Sequence, residues 1–208
     1  KLAHPQDAQG VRLGHEFSGV VRAVGAQVTS FAPGDRIAAA HHVPCGSCWS
    51  CRHGNESMCR QFKTTNVDPC GFAELIRIPR PHVEQVTFRL PDDLTYEEAS
   101  FAEPLACAVR AVERSQVLSG DRIAVVGGGG MGLLIAQVIL AQGADAIVLD
   151  ISDARLALAV QVGVRLAGRG LPASARFPVC GGTDLGVVGI RSEVARGAAA
   201  GGGWFERE

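Results

Sequence analysis

The sequence has no surplus of either charge. Its 20 basic and 21 acidic side chains leave a formal net charge of −1, which removes the electrostatic footprint of a nucleic-acid binder or of a protein drawn to an anionic membrane. It has no initiator Met, and its opening KLAHPQDAQG lacks the apolar run of a secretory signal. Nor does any stretch reach the roughly 18 uninterrupted apolar residues of a membrane span. The expectation is a soluble chain, incomplete at its front. Cysteine is sparse and odd in number, seven in all, and four of the seven crowd at a spacing that suits a metal better than a set of bridges. That points to a reducing compartment, the cytoplasm. What is plentiful is apolar material: 47% of 208 residues are hydrophobic, enough for one large or two modest domains. Small-molecule chemistry is the class these absences favour.

Residues 11–90 carry short Val- and Ile-containing runs punctuated by Gly and Pro, FSGVVRAVG, FAPGDRIAAA and GFAELIRIP, which read as strands and turns. The Pro-Gly-Asp of PGDRIA has the chemistry of a chain reversal. After Pro91 the character changes: DDLTYEEASF suits a helix N-terminus and AEPLACAVRAVERSQV has helical composition, with Pro104 where a first turn tolerates it. From Gly120 the pattern is strand DRIAVVG, helix GLLIAQVILAQG, strand ADAIVLD, helix SDARLALAVQVG, the alternation of a parallel sheet. A domain boundary near 115–120 follows, placing one domain at 1–116 and a second at 117–165. Residues 166–208 are rich in Gly, Ala and Arg and lack sustained periodicity. They read as an atypical tail of non-native origin, with an ordinary variable loop as the alternative.

Cys45, Cys48, Cys51 and Cys59 form C-x2-C-x2-C-x7-C, interleaved with Gly46, Ser47, Ser50 and Gly54. Such turns can present four sulfurs to one zinc, and four thiolates leave no open position, so the expected role is structural. Two disulfides between such close neighbours are geometrically awkward, and an iron–sulfur cluster is the remaining metal option. Elsewhere, His15 and Glu16 open a strand in LGHEFSGVV. Strand neighbours face opposite ways, so joint ligation needs a bend, for which Gly14 supplies the freedom. Taken alone, the pair reads equally as a surface pair. Glu103, among Phe101, Leu105 and Ala106, is a carboxylate that is costly to bury unless paired or on a metal.

The stretch IAVVGGGGMGLLIAQ fits G-x-G-x-x-G at Gly127, Gly129 and Gly132, directly after a strand and opening a helix. In that context the first glycine makes the turn, the second admits a pyrophosphate and the third lets helix and strand pack. Asp150 ends the next strand, 23 residues after Gly127. A carboxylate there accepts from the adenosine ribose hydroxyls and repels a 2′-phosphate, which favours NAD over NADP. Arg155 lies five residues on, and a cation beside the adenosine tempers that preference.

Taken in order, GHEFSGVV, PGDRIA, CGSCWSCRHGNESMC, GFAE, AEPLACAV, VVGGGGMGLL and LDISDARLALA resemble the zinc-containing medium-chain alcohol dehydrogenases, nearest the sorbitol, polyol and threonine dehydrogenase branch. The resemblance covers residues 11 to about 165. It implies an α/β chain with a β-barrel: a GroES-like catalytic domain, N-terminally truncated, followed by an incomplete Rossmann domain left with about two strands. It further implies a catalytic zinc served by a Cys together with His15, Glu16 and Glu103, a structural zinc on Cys45, Cys48, Cys51 and Cys59, and NAD contacts at Met131, Asp150 and Arg155. The implied reaction moves a hydride from a secondary alcohol or polyol, held on zinc, to the nicotinamide, in an intact protein expected to be a cytoplasmic homo-oligomer. No Cys precedes His15, and neither Cys70 nor Cys107 sits in the family's ligand motif; Cys107 reads as helix core. The 208 residues alone are therefore expected to be inactive. The rival class is a non-catalytic zinc-binding remnant or regulatory module. A zinc-independent quinone reductase would have no use for the four-cysteine lobe.

Overall fold

A computed structural model describes residues 13–170 of the chain, together with the backbone of 187–188 and 204–206. The chain divides into two compact units, Lys1–Glu103 and Pro104–Glu208.

In the first unit β1 (Ser18–Val20), β2 (Arg36–Ala39) and, after the cysteine stretch, β3 (Thr87–Arg89) form an antiparallel sheet in the order β1-β2-β3. The reversal before β2 is fixed locally. Gly34 takes a φ of 98°, open to glycine and strained for other residues, and the Asp35 carboxylate accepts from the Ala32 N–H at 2.9 Å and from Arg89 Nη2 at 2.9 Å. Between β2 and β3 lie α1 (Trp49–Arg52), a 3-10 turn (Glu56–Met58), α2 (Arg60–Thr64) and α3 (Arg80–Gln85). The strand reading therefore holds for FSGVV and RIAAA and fails for GFAELIRIP, which contributes only the isolated bridge Asp68↔Arg77. Its Phe72 and Leu75 are exposed at 82% and 71%, so the apolar residues that suggested a strand have no core to alternate against. The unit closes with α4 (Tyr96–Ser100), entered through a capping box: Thr95 Oγ1 accepts from the Glu98 N–H at 3.1 Å while the Glu98 carboxylate accepts from the Thr95 N–H at 2.9 Å.

The long helix α5 (Ala102–Arg114) begins where the units divide, earlier than the boundary at 116/117 read from composition. Ala108, Ala111 and Val112 share one buried cluster with Ile123, Val125 and Ile139, so the body of α5 is core of the second unit. That unit runs β4 (Arg122–Val126), α6 (Gly130–Ala141), β5 (Asp145–Leu149), α7 (Asp153–Gln161) and β6 (Leu166–Gly168), followed by β7 (Val187–Val188) and β8 (Trp204–Glu206). The sheet order is β7-β4-β5-β6-β8, with β4, β5 and β6 parallel and the two outer strands antiparallel.

The second unit corrects two expectations. The sheet holds three parallel strands rather than two, and Leu166–Gly168, assigned from composition to the tail, is its third. A run of only three residues is too short to show a period, but Ala167 is fully buried beside Val148. The reading of a non-native tail otherwise falls outside the described residues.

Candidate metal and cofactor sites

The four clustered cysteines converge. The Sγ atoms of Cys45, Cys48, Cys51 and Cys59 all lie within 4.8 Å of one another, with Cys45–Cys51 at 3.9 Å and Cys48–Cys51 at 3.5 Å. A tetrahedron with zinc–sulfur bonds of about 2.3 Å has edges of about 3.8 Å, so these separations bracket what zinc requires. The backbone reaches this geometry through Gly46 and Gly54, at φ 72° and 68°, and through Cys48, which caps α1 from an extended conformation. Backbone donors already face the sulfurs: the Cys48 N–H lies 3.3 Å from Cys45 Sγ and the Cys45 N–H 3.4 Å from Cys59 Sγ. Hydrogen bonds from the Ser47 and Cys48 backbone hold the Cys45 thiol down to about 6, and those from Cys45 and Phe62 lower Cys59. Desolvation, with Cys48 alongside, pushes Cys51 up to about 12. A cation at the centre would remove that conflict by holding all four as thiolates. The donor set fits a closed zinc site, and all four are free thiols.

A second group is built from nitrogen and oxygen. His15, His41 and Glu103 each offer a ligand atom within 4.8 Å of the others, with His15 Nε2 at 3.7 Å from Glu103 Oε2. Each comes from a different part of the first unit. His15 follows Gly14, whose φ is 85°, and a crossing strand of chain clamps it: the Gly71 N–H donates to the Gly14 carbonyl at 2.7 Å. A Cβ on Gly71 would lie 2.9 Å from the His15 nitrogen, so this crossing needs glycine. Glu103 stands in the first turn of α5. His41 follows β2, where the Ala40 N–H donates to the Val86 carbonyl at 3.0 Å and His82 Nε2 donates to the His41 carbonyl at 3.0 Å.

Burial, with His42, His15 and His82 nearby, pushes the His41 imidazole down to about 4, so the ring is neutral at pH 7 with a lone pair to give. Its Nδ1 is buried with no hydrogen-bond partner among the described residues, a situation that ordinarily costs about 1–3 kcal/mol. A cation beside such a ring is a physically reasonable partner. Among the described residues three nitrogen and oxygen donors gather here, the number and type of protein ligands that catalytic zinc sites commonly use.

Of the sequence-predicted ligands, His15 and Glu103 meet. Glu16 is exposed and is not in the group, and neither is Cys70 or the exposed Cys107. The strand that was to hold His15 and Glu16 starts only at Ser18. His41 was missed: its sole sequence signal is an HH pair ending the apolar RIAAA run, four residues before Cys45.

The glycine loop makes a tight turn between β4 and α6. Gly127 has φ 101° and its N–H donates to the Leu149 carbonyl at 2.7 Å. A Cβ on Gly132 would sit 1.8 Å from the Gly127 oxygen, so helix and strand approach as only glycine permits. Gly129 caps α6 in an extended conformation, with open space where a side chain would project. The Asp150 side chain, 4% exposed, accepts from the Gly128 N–H at 2.7 Å and from the Ser152 N–H at 2.8 Å, with Arg155 Nη1 at 3.4 Å. Those two backbone donors, then Arg155, hold its carboxyl below the usual carboxylate range. Met131, in the first turn of α6, is 36% exposed. The N-terminus of α6, Asp150 and Arg155 make a cradle suited to an anionic dinucleotide.

Residues 2–91 match the family model described as the alcohol dehydrogenase GroES-like domain. The chain is 36% identical over 204 residues to an L-threonine 3-dehydrogenase of Bacillus velezensis, an alignment spanning 93% of this chain and 58% of that protein. Among solved structures it resembles the galactitol-1-phosphate dehydrogenase of Escherichia coli, with a TM-score of 0.62 and 34% identity over 74% of this chain and 44% of that one. It also resembles a Sinorhizobium meliloti protein solved with NADP bound, with a TM-score of 0.66 and 35% identity over 76% and 45%. The chain thus spans about half the length of the curated relatives it matches. Among the described residues no helix is long and apolar enough to cross a membrane.

Proposed function

The chain belongs to the zinc-containing medium-chain alcohol dehydrogenase family, in its threonine and polyol dehydrogenase branch, and from that premise we propose that the protein is a zinc- and NAD-dependent oxidoreductase acting on a secondary alcohol or polyol. In the reaction the alcohol oxygen gives up a proton, the carbinol carbon gives up a hydride, and the products are a ketone and NADH. The observation that carries this reading is the pairing, in one chain, of a nitrogen and oxygen donor set with a glycine loop whose acidic partner is in place.

Each part has a share of the work. Cys45, Cys48, Cys51 and Cys59 would hold a zinc that folds their lobe and takes no part in chemistry. His15 and Glu103 would hold the catalytic zinc. When bound, that ion polarises a substrate hydroxyl, as it lowers the pKa of a bound water from about 15.7 to about 7. Glu16 belongs to this reading only as the resemblance has it. The α6 N-terminus and Gly127, Gly129 and Gly132 would receive the pyrophosphate, with Met131 and Arg155 beside the nucleotide. Asp150, whose carboxylate form is favoured further by its backbone donors, would accept the ribose hydroxyls and repel a 2′-phosphate. Assembly of the intact protein as a homo-oligomer in the cytoplasm belongs to the same reading.

Titration of the purified chain with NAD and with NADP tests the cofactor assignment. The expected outcome is tighter binding of NAD, with Asp150→Ala abolishing the discrimination; tighter binding of NADP by the unaltered chain would overturn it. The 208 residues alone are expected to show no turnover, and measurable NAD reduction with a polyol or secondary alcohol would contradict that.

A further inference from the structure

We propose that His41 is a protein ligand of the nitrogen and oxygen metal site, completing with His15 and Glu103 a two-histidine, one-carboxylate set in this chain. The inference rests on the zinc reading above and assigns to the site a residue that neither the sequence motifs nor the resemblance supplied.

Four observations converge on it. The three residues are the ones whose ligand atoms cluster within 4.8 Å, and Glu16 is not among them. The His41 ring carries a buried Nδ1 with no hydrogen-bond partner among the described residues, as does the His82 ring, and of the two only His41 belongs to the cluster of ligand atoms. Its ring lies against that of His15, with centroids 4.3 Å apart, so the two imidazoles already share one small volume. Its backbone is held in place: His82 Nε2 donates to its carbonyl, and His82 is itself buried at 1% exposure. On the far side the next residues are tied to the cysteine lobe, where Thr65 Oγ1 accepts from the Val43 N–H at 3.1 Å and Gln61 Nε2 donates to the Pro44 carbonyl at 3.3 Å.

The separations suit a metal after small side-chain adjustment. Zinc with bonds of about 2.0–2.2 Å to nitrogen and oxygen has ligand–ligand edges of about 3.4 Å, and His15 Nε2 to Glu103 Oε2 is already 3.7 Å. His82 is a positioning residue in this scheme. It fixes the His41 carbonyl in the way that hydrogen-bonded outer partners orient metal ligands generally.

Cobalt titration of the metal-free chain tests the proposal without any dependence on turnover. Cobalt on the four cysteines gives thiolate-to-metal charge-transfer absorption in the near ultraviolet, while cobalt on nitrogen and oxygen donors gives visible ligand-field bands without it. The unaltered chain is expected to bind two equivalents with both signatures. His41→Ala is expected to weaken the second equivalent at least tenfold and to change its visible bands, leaving the charge-transfer signal intact as the control for folding. His41→Asn serves if the alanine variant loses that control. Unchanged affinity and bands in both His41 variants would overturn the assignment of His41 while leaving the zinc reading in place. Failure of the unaltered chain to take a second equivalent would overturn both.

Discussion

Asp150 shows how one side chain joins fold and function. Its two oxygens are each occupied by a backbone N–H, from Gly128 and Ser152, so the same carboxylate that would read the ribose also ties the end of β5 to the glycine loop. Those donors depress its pKa in the folded state. A group of this kind stabilises the fold above its unfolded pKa of about 3.9 and loses that contribution as the pH falls through the lower folded value. Asp150→Asn should accordingly melt below the unaltered chain at pH 7, with the gap narrowing as the solution is acidified below about pH 4. A gap in melting temperature that stays constant with pH would show that the charge is irrelevant.

At the same scale the sequence was legible where chemistry is local and silent where it is not. Gly127 and Gly132 declared themselves, because a turn at φ 101° and a 1.8 Å clash with the Gly127 oxygen admit one residue type at a fixed offset. His41 did not, because nothing near it in the chain distinguishes a ligand from a buried histidine. Its partners His15 and Glu103 are distant in sequence.

Among the elements, the cysteine lobe is the one whose folding should depend on a metal. α1 and α2 contain no buried residues and are four and five residues long, too short to persist without tertiary support. The buried Cys59 anchors their junction. Cys51→Ser should therefore abolish thiolate-to-metal absorption and raise amide hydrogen exchange across residues 45–59. The β4, α6 and β5 amides should keep their protection, since they belong to a separate core. An equal rise in exchange throughout the second unit would contradict this independence. The spacing C-x2-C-x2-C-x7-C made the lobe readable because all four sulfurs belong to one short segment. The apolar GFAELIRIP misled because strand composition says nothing about whether a partner lies alongside, and here the segment instead crosses over Gly14.

Across the whole molecule, the order of motifs carried more than any single one. The β4-α6-β5-α7 alternation was readable from period and apolar content. The third strand, Leu166–Gly168, was too short to register, and the division at Glu103 was hidden because α5 looks alike on both sides of it. On the proposed reading the chain carries two metal sites of opposite character in its first unit, one of four sulfurs and one of nitrogen and oxygen donors, and a glycine loop suited to a dinucleotide in its second. The most direct test of that account is the zinc content of the purified chain before and after dialysis against a chelator under native conditions. The account predicts two zinc ions per chain, one removed by the chelator and one released only on unfolding; a single zinc that resists the chelator until the chain unfolds would contradict it.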